Sequence, residues 1–236
     1  MKEGQLHIPS CQDCTNDSKI FCALSALEKE ALSENKGSNY YKKGQNIFYQ
    51  GNYSHGLYCI YSGKVKLSKL GEDGKEQVIR FAGTGDILGY RALLSNEPYQ
   101  ATATAMEDCY VCHLAKDNCM ALINENSDLS LNIIRQLTKD LRNAEQHLIN
   151  LAQKTVKERI SESILHIHDT FGFKEDGKTL NVALSRSEIA DIAGTTTETA
   201  IRTLSQLNKE GVIDLVAKSI VIPDIKRLAQ EANFLG

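Results

Sequence analysis

Two short helices joined by a tight turn are encoded by Leu184-Ser-Arg-Ser-Glu-Ile-Ala-Asp-Ile-Ala-Gly-Thr-Thr-Thr-Glu-Thr-Ala-Ile-Arg-Thr-Leu-Ser-Gln-Leu207. Ser185, followed three residues later by a glutamate, has the capping-box pattern that begins a helix, and Thr195 with Glu198 repeats the pattern. Between the two caps, Gly194 permits the positive φ of a tight turn. The stretch therefore predicts a helix-turn-helix. Apolar contacts on more than one side of the second helix are expected from Ala200, Ile201, Leu204 and Leu207.

The second predicted helix carries side chains that are suited to reading DNA. Its N-terminal turn would lie against base edges in the major groove. Arg202 can donate two hydrogen bonds to guanine, and Glu198 can accept one from a cytosine amino group. In the alternative interpretations, Glu198 only caps the helix and Arg202 only holds a phosphate. A small wing is predicted after the helix, with Ala217-Lys218 at its tip. The candidate DNA-binding residues are Thr196, Thr197, Glu198, Arg202, Lys218 and Ser219.

The N-terminal half of the chain has a different pattern. A short amphipathic helix is predicted from Ala23 to Asn35, because apolar residues recur there at helical spacing. Short β-rich runs then alternate with glycine-containing breaks, which is typical of a compact antiparallel barrel or roll. The predicted strands are Ile47–Tyr49, Gly56–Tyr61, Lys64–Leu70, Gln77–Phe81, Asp86–Leu88, Ala101–Ala105 and Cys109–Leu114. The predicted fold class is therefore α+β, with an N-terminal antiparallel β-roll, a long helix and a C-terminal winged helix-turn-helix.

One long helix is predicted between these halves, because neither Pro nor Gly interrupts the chain from Ser127 to Thr155. Apolar residues at alternating spacings of three and four give this helix the seam of a two-stranded coiled coil. The predicted dimerisation residues are Ile134, Leu137, Leu141, Ala144, Leu148 and Leu151. A helix packed on its own domain is the alternative. The surrounding positions are polar nearly all round, and so narrow a stripe fits a partner helix better.

The composition excludes several classes of protein. With a formal net charge of -3 and a pI near 6.1, the chain has no overall basic character, so DNA binding must come from a local arrangement of charges. No run approaches the roughly 18 apolar residues of a membrane span, and the first residues lack the apolar stretch of a signal peptide. We therefore expect a cytoplasmic protein without a membrane partner. An enzyme is not expected, since the chain shows no nucleophile-base motif and no phosphate-binding glycine loop.

Three features follow one another along the chain: Gly85-Asp-Ile-Leu-Gly89, the long helix, and the helix-turn-helix stretch that contains Glu198-Thr-Ala-Ile-Arg202. Together they resemble the cyclic-AMP receptor / fumarate-nitrate regulator (Crp/Fnr) family over essentially the whole chain. The resemblance implies a homodimeric transcriptional regulator that binds palindromic DNA, with Glu198 and Arg202 contacting bases and RNA polymerase as a partner. It also implies control by a redox, oxygen or small-molecule signal at the N-terminal domain.

The resemblance divides the chain into four parts. These are a Cys-bearing leader at 1–22, a cyclic-nucleotide-binding-like sensor domain at 23–126, a dimerisation helix at 127–153 and a winged helix-turn-helix domain at 154–236. Two other functions remain open at this point, a cyclic-nucleotide-responsive regulator and a regulatory module that does not bind DNA.

Whether the chain can bind cyclic AMP is judged from the positions that hold this ligand in the cyclic-AMP-binding members of the family. Those members have a Glu directly after the second Gly of the Gly-Asp motif and an Arg-Ser pair about ten residues later. Here the corresponding positions carry Tyr90 and Gln100-Ala101. Loss of the Arg removes the charge-assisted hydrogen bonds to the cyclic phosphate. Arg91 is one residue away, but a slip of one residue on a strand would turn it to the other face. The sequence therefore argues against cyclic AMP as a ligand.

The cysteines suggest a different signal. Seven cysteines in a chain without an export signal favour reduced thiols, metal ligation or redox chemistry over disulfides. Cys11-x-x-Cys14, Cys22 and Cys112 resemble the oxygen-sensing branch of the family, which implies that these four hold a [4Fe-4S] cluster. The gap from Cys14 to Cys22 is two residues longer than in that branch. Free thiols, a zinc site and a haem-based sensor remain alternatives, although no residue is recognisable as a haem ligand.

Three further cysteines were not placed in the ligand set. Cys109 and Cys112 lie three residues apart on one predicted strand, so their side chains are expected on opposite faces. Cys59 and Cys119 are interpreted as core or surface thiols.

Overall fold

The structure, a computed structural model, describes residues 10, 11, 14, 20–71, 74 and 76–233. The chain divides into two compact units, one containing Met1–Lys69 with Ala82–Leu141 and the other containing Leu70–Phe81 with Arg142–Gly236. The division falls inside the long helix, whereas the sequence-based division gives residues 127–153 a part of their own. None of the helices in this described part of the chain has the length and apolar character needed to cross a membrane.

The N-terminal half contains two four-stranded sheets. The strand order is β1-β8-β3-β6 in the first and β2-β7-β4-β5 in the second, and the first is antiparallel throughout. The strands are β1 Lys36–Tyr41, β2 Asn46–Phe48, β3 Gly56–Ser62, β4 Val65–Leu70, β5 Glu76–Ala82, β6 Ile87–Leu88, β7 Thr102–Ala105 and β8 Cys109–Ala115. All seven strands predicted from the sequence are present. The roll core is built from alternating strand residues that are almost completely buried, including Ile60, Val65, Ala103 and Val111.

Two elements of the roll were not predicted. Strand β1 reads Lys-Gly-Ser-Asn-Tyr-Tyr and is largely exposed, so it shows no apolar alternation; it forms only because it pairs along the full length of β8. Helix α2, Tyr90–Ser95, is only six residues long and follows Gly89, whose φ of 87° lies in the left-handed region that favours glycine.

The remaining helices of the N-terminal unit cover one side of the roll. A short 3-10 helix, Phe21–Ala23, precedes α1 at Ala26–Glu34, and α3 follows β8 at Lys116–Glu125. The long helix α4 runs without interruption from Ser127 to Gln153. Near its start, Leu129 and Ile133 are buried in a cluster with apolar residues of the roll and of α1. The first two turns of α4 are therefore fixed by packing within their own unit.

The C-terminal unit is a helical bundle with a two-stranded wing. Its elements are α5 Val156–Phe171, α6 Arg186–Ile192, α7 Thr197–Lys209, β9 Asp214–Val216, β10 Ser219–Val221 and α8 Ile225–Glu231. Thr155 begins α5 with a full capping box to Glu158. Several fully buried aliphatic side chains from different parts of the unit form its core. They include Ile160, Ile164, Ile189, Leu204, Leu207 and Ile213. This packing fixes the orientation of α6 and α7.

Candidate DNA interface and thiol-lined cavity

The predicted turn between α6 and α7 is present. Ser185 caps α6 with a capping box to Glu188, as expected. Gly194 has a φ of 61°, the left-handed conformation that its position requires. Arg159 of α5 stabilises the turn, because its guanidinium donates to the carbonyl oxygens of Ala193 at 2.8 Å and Gly194 at 3.3 Å. The turn is thus supported by a side chain that the sequence did not single out.

The prediction that Thr195 caps the second helix is wrong. The N-cap of α7 is Thr196, whose hydroxyl accepts a hydrogen bond from the backbone N–H of Thr199 at 3.2 Å. Thr195 belongs to the turn, since its N–H donates to the carbonyl of Ala190. With Thr196 as the N-cap, the third helical position is Thr199 and not Glu198. The Glu198 carboxylate therefore has no capping role. Its exposed side chain remains available for DNA.

Helix α7 presents one face to its own domain and the opposite face to solvent. Ala200, Leu204 and Leu207 are buried, as predicted. Thr196, Thr197, Glu198 and Arg202 are all exposed. Arg202 lies against Thr199, with 3.4 Å between the guanidinium and the hydroxyl. Ile201 lies on a different side of the helix from the buried residues and is 46% exposed, because a helix turns about 100° per residue.

The predicted wing is formed by β9 and β10. Ala217 takes a positive φ of 53° at the tip, and Lys218 beside it is exposed, whereas Ser219 is half-buried at the start of β10. Arg186 of α6 donates to the Ala217 carbonyl at 3.3 Å and so ties the wing tip to the helix-turn-helix. The two predicted phosphate-binding candidates therefore lie on the same domain as the exposed face of α7.

A second site lies in the N-terminal unit, where a cavity of about 80 Å³ is lined by five cysteines. These are Cys11, Cys14, Cys22, Cys59 and Cys112. Lys29 and Lys36 also line the cavity, and the remaining lining is mainly apolar. All four cysteines named from the family resemblance are therefore brought to one place.

The fifth cysteine corrects an interpretation from the sequence. Cys59, interpreted from the sequence as a core or surface thiol, pairs directly with Cys112 in the register of β3 and β8. Directly opposite residues of an antiparallel pair point to the same face, so both thiols face the cavity. Cys109 lies on the other face, as expected, with its Sγ near the carbonyl oxygens of Lys64 and Glu107. Cys119 is buried outside the cavity lining.

Burial keeps the strand thiols protonated. It raises the pKa of Cys112, an effect that Lys36 opposes. Burial also raises the pKa of Cys59 well above its ordinary value, and four nearby thiols raise it further, Cys112, Cys119, Cys11 and Cys14. Thiolates in this cavity therefore need positive charge to stabilise them. Within the described ranges, no group of three or more His, Cys, Asp or Glu side chains is placed to hold a single metal ion.

Comparison with known proteins gives the family. A cyclic nucleotide-binding domain matches residues 38–126, and a Crp-like helix-turn-helix domain matches residues 158–231. The chain belongs to the Crp/Fnr family of transcriptional regulators. Like other Crp/Fnr regulators it is a dimeric, DNA-binding regulator of transcription.

Relatives named for different functions match this Crp/Fnr regulator at similar identity. It is 29% identical over 213 residues to the CRP-like cAMP-activated global transcriptional regulator of Mycobacterium tuberculosis, covering 89% of this chain and 92% of that protein. It is 28% identical over 230 residues to the fumarate and nitrate reduction regulatory protein of Yersinia pestis, covering 94% and 90%. The solved structure of FixK2 from Bradyrhizobium japonicum has a TM-score of 0.73 at 26% identity, covering 83% of this chain and 96% of that chain.

In this Crp/Fnr regulator, the positions that hold cyclic AMP in other members have a different environment. Tyr90 is buried, and its hydroxyl donates to the carboxylate of Asp140 on α4. Gln100 is exposed, with its amide 3.4 Å from the Pro98 carbonyl. Arg91 is exposed as well. That cyclic AMP is not bound stays a prediction.

The predicted dimer seam of this Crp/Fnr regulator is exposed over most of its length. Exposure is 57% for Ile134, 61% for Leu141 and 67% for Leu148, and Ala144 is exposed too. Leu137 is half-buried against the roll. Leu151 differs from the others, because it lies against the turn at Gly194 in the C-terminal unit. The assignment of these six residues to the dimer seam remains a prediction.

Proposed function

We propose that this Crp/Fnr regulator is a redox- or oxygen-responsive transcription factor whose signal is read at the thiol-lined cavity. The observation that carries the proposal is the convergence of five cysteines, from the leader and from two adjacent strands, on one cavity. The regulator would act in the cytoplasm as a homodimer on a palindromic operator, in contact with RNA polymerase.

The donor set of the cavity fits a [4Fe-4S] cluster. Four thiolates are the usual ligands of such a cluster, and Cys11, Cys14, Cys22 and Cys112 are all available. Lys29 and Lys36 offer positive charge, which the buried thiols need in order to ionise. A cluster spreads its ligands over four iron atoms, so thiols too far apart for one zinc ion can still bind it. When bound, it supplies a centre whose integrity depends on oxygen and redox state.

The neighbourhood of the cavity connects the thiols to α4. Ile20 and Leu24, which flank Cys22, are buried in the same cluster as Leu129 and Ile133 of α4. Asn132 of α4 donates to the Ile20 carbonyl at 3.4 Å and reaches the Cys22 Sγ at 3.9 Å. A rearrangement of the leader therefore changes the packing of α4 directly. Through α4, it would alter the placement of the two recognition helices in a dimer.

The test is the absorption spectrum and metal content of protein purified without oxygen, beside a Cys112→Ser variant. We expect broad visible absorbance and about four irons per chain, both lost in air and in the variant. Cys109→Ser is the matched control, since Cys109 lies on the same strand but faces away from the cavity. A colourless protein free of iron would overturn the proposal, and one equivalent of zinc would replace it with a structural metal site.

A further inference from the structure

The cavity holds five thiols, one more than a cluster requires. We propose that Cys59, and not Cys22, completes the ligand set with Cys11, Cys14 and Cys112. This inference rests on the proposed function, and it changes the ligand set that the family resemblance implies.

The strand register places Cys59 beside Cys112. Residues of β3 and β8 that face each other in register share a face of the sheet, as Ile60 and Val111 do in the roll core. The next pair along, Cys59 with Cys112, therefore faces the opposite side. That side is covered by Ile20, Leu24 and Leu32 of α1 and its N-terminal flank. Two thiols on adjacent strands, held by a backbone ladder, form a rigid half of a site.

The first leader cysteine is also held in place at this face. The backbone N–H of Cys11 donates to the Ser33 hydroxyl of α1 at 2.6 Å, and Cys11 packs against the apolar cluster under the leader. Cys11 and Cys14 line the same cavity as Cys59 and Cys112. A pair from the leader thus meets a pair from the strands.

Cys22 has a different environment. Its side chain is exposed, on the 3-10 helix, and its Sγ lies 3.9 Å from the amide of Asn132 on α4. Cys59 lines the cavity from β3 and lies beside Cys112 in the strand register. Cys22 lines the same cavity, but its side chain is more exposed to solvent than that of Cys59.

Iron and acid-labile sulfide per chain would be measured in anaerobically purified wild type, Cys59→Ala, Cys22→Ala and Cys119→Ala. Cys119 is the matched control, because it is a buried thiol of the same unit outside the cavity lining. We expect Cys59→Ala to lose most of its iron and the other two variants to keep the wild-type content. Loss of iron in Cys22→Ala with retention in Cys59→Ala would overturn the assignment. A wild type without iron would instead remove the proposed cluster itself.

A second measurement needs no variant and so avoids any effect on folding. Iron-loaded wild type would be treated with iodoacetamide without oxygen, and the modified cysteines identified by mass spectrometry. We expect Cys22 to be alkylated, because it is exposed and not ligated. Protection of Cys22 until the iron is removed would contradict the inference.

An independent observation concerns the recognition helix, where Ile201, three residues after Glu198 and next to Arg202 in the chain, is 46% exposed. The neighbouring exposed side chains on this face are polar, whereas the aliphatic Ile201 side chain cannot hydrogen-bond to a base edge. The thymine methyl group is the one apolar feature of the major groove that it can contact. We infer that Ile201 is a specificity residue that contacts a thymine methyl in each half-site.

The test removes only that methyl group. An operator would be selected from random DNA, and each thymine would then be replaced in turn by deoxyuridine. We expect one position per half-site at which the replacement weakens wild-type binding about fourfold, the effect of losing one buried methyl-sized contact. The same replacement should leave binding by Ile201→Ser unchanged. Equal sensitivity in both proteins, or no sensitive position in the wild type, would refute the contact.

Discussion

Gly194 has two separate reasons to be glycine. Its φ of 61° lies in the left-handed region, and a Cβ at this position would lie 2.3 Å from Cδ2 of Leu151. Gly194→Ala should lower the free energy of unfolding by about 1–2 kcal/mol for the backbone conformation and by roughly 0.5–1.5 kcal/mol more for moving the 39% exposed Leu151 side chain off its rotamer. Urea denaturation followed by circular dichroism measures the sum. DNA affinity should fall as well, because the turn sets the direction of α7.

Two variants separate these contributions. Gly177 has a φ of 68° with nothing within 4 Å of an added Cβ, so Gly177→Ala should show the backbone cost alone. Leu151→Ala combined with Gly194→Ala should recover the steric part. If Gly194→Ala and Gly177→Ala proved equally destabilising, steric contact with Leu151 would contribute nothing to the loss of stability in Gly194→Ala.

Arg202 and Lys218 should affect DNA binding in different ways. Arg202→Ala should weaken binding to a selected operator by about 1–3 kcal/mol and relax the preference at one base pair, as expected for a residue that reads a base. Lys218→Ala should weaken binding to all sequences alike. It should also reduce the slope of log affinity against log salt concentration by about one, as expected for a phosphate contact. Fluorescence anisotropy at several salt concentrations distinguishes the two. Unchanged affinity in Arg202→Ala would refute the assignment of α7 as the recognition helix.

At the scale of elements, the junction between α4 and α5 is joined by a buried polar network. The Glu162 carboxylate accepts from Asn150 at 2.7 Å and from the ammonium of Lys154 at 3.0 Å, and Lys154 also donates to the Ala232 carbonyl at 3.0 Å. Glu162→Ala leaves the Lys154 charge half-buried without its partner, and we expect about 3 kcal/mol lower stability. Thermal and urea unfolding would measure the change.

An exposed ion pair of the same unit is the control for this network. Lys157 and Glu210 lie 2.7 Å apart, but the side chains are about one-third exposed, so Glu210→Ala should change stability much less than Glu162→Ala does. Equal effects of Glu162→Ala and Glu210→Ala would show that the buried network does not set the junction.

At the scale of the whole molecule, α4 must find a partner for its exposed apolar stripe. Leu141→Asp would place a charge at the centre of the predicted seam, where burial of an unpaired carboxylate is costly. We expect a monomer in sedimentation experiments and a large loss of affinity for a palindromic operator, since two half-sites roughly 34 Å apart must be bound together. Lys139→Asp, an exposed substitution off the stripe, should leave the dimer intact. A dimeric Leu141→Asp protein would place the interface elsewhere.

Local patterns in the sequence determined much of this protein. The capping residues, the glycine of the turn, the period of the strands and the unbroken run from Ser127 to Gln153 predicted most elements correctly, because these features act over a few neighbouring residues. Glu198 and Arg202 were also correctly predicted to be exposed on α7. The errors were local ambiguities: Thr195 and Thr196 are both good caps, and only the turn decided between them.

Contacts between residues that are far apart in the sequence depend on the packing of the whole fold. The partnership of Cys59 with Cys112 depends on the register of two strands that are far apart in the sequence, and no local pattern specifies a register. The exposed strand β1 exists because β8 offers it a hydrogen-bonding edge, and Leu151 lies against Gly194 because α5 and α7 pack where they do. The elements could therefore be predicted from the sequence because they depend on short-range preferences, and the family could be recognised from its motifs. The composition of the thiol cavity depends on long-range packing, and the fold alone revealed it.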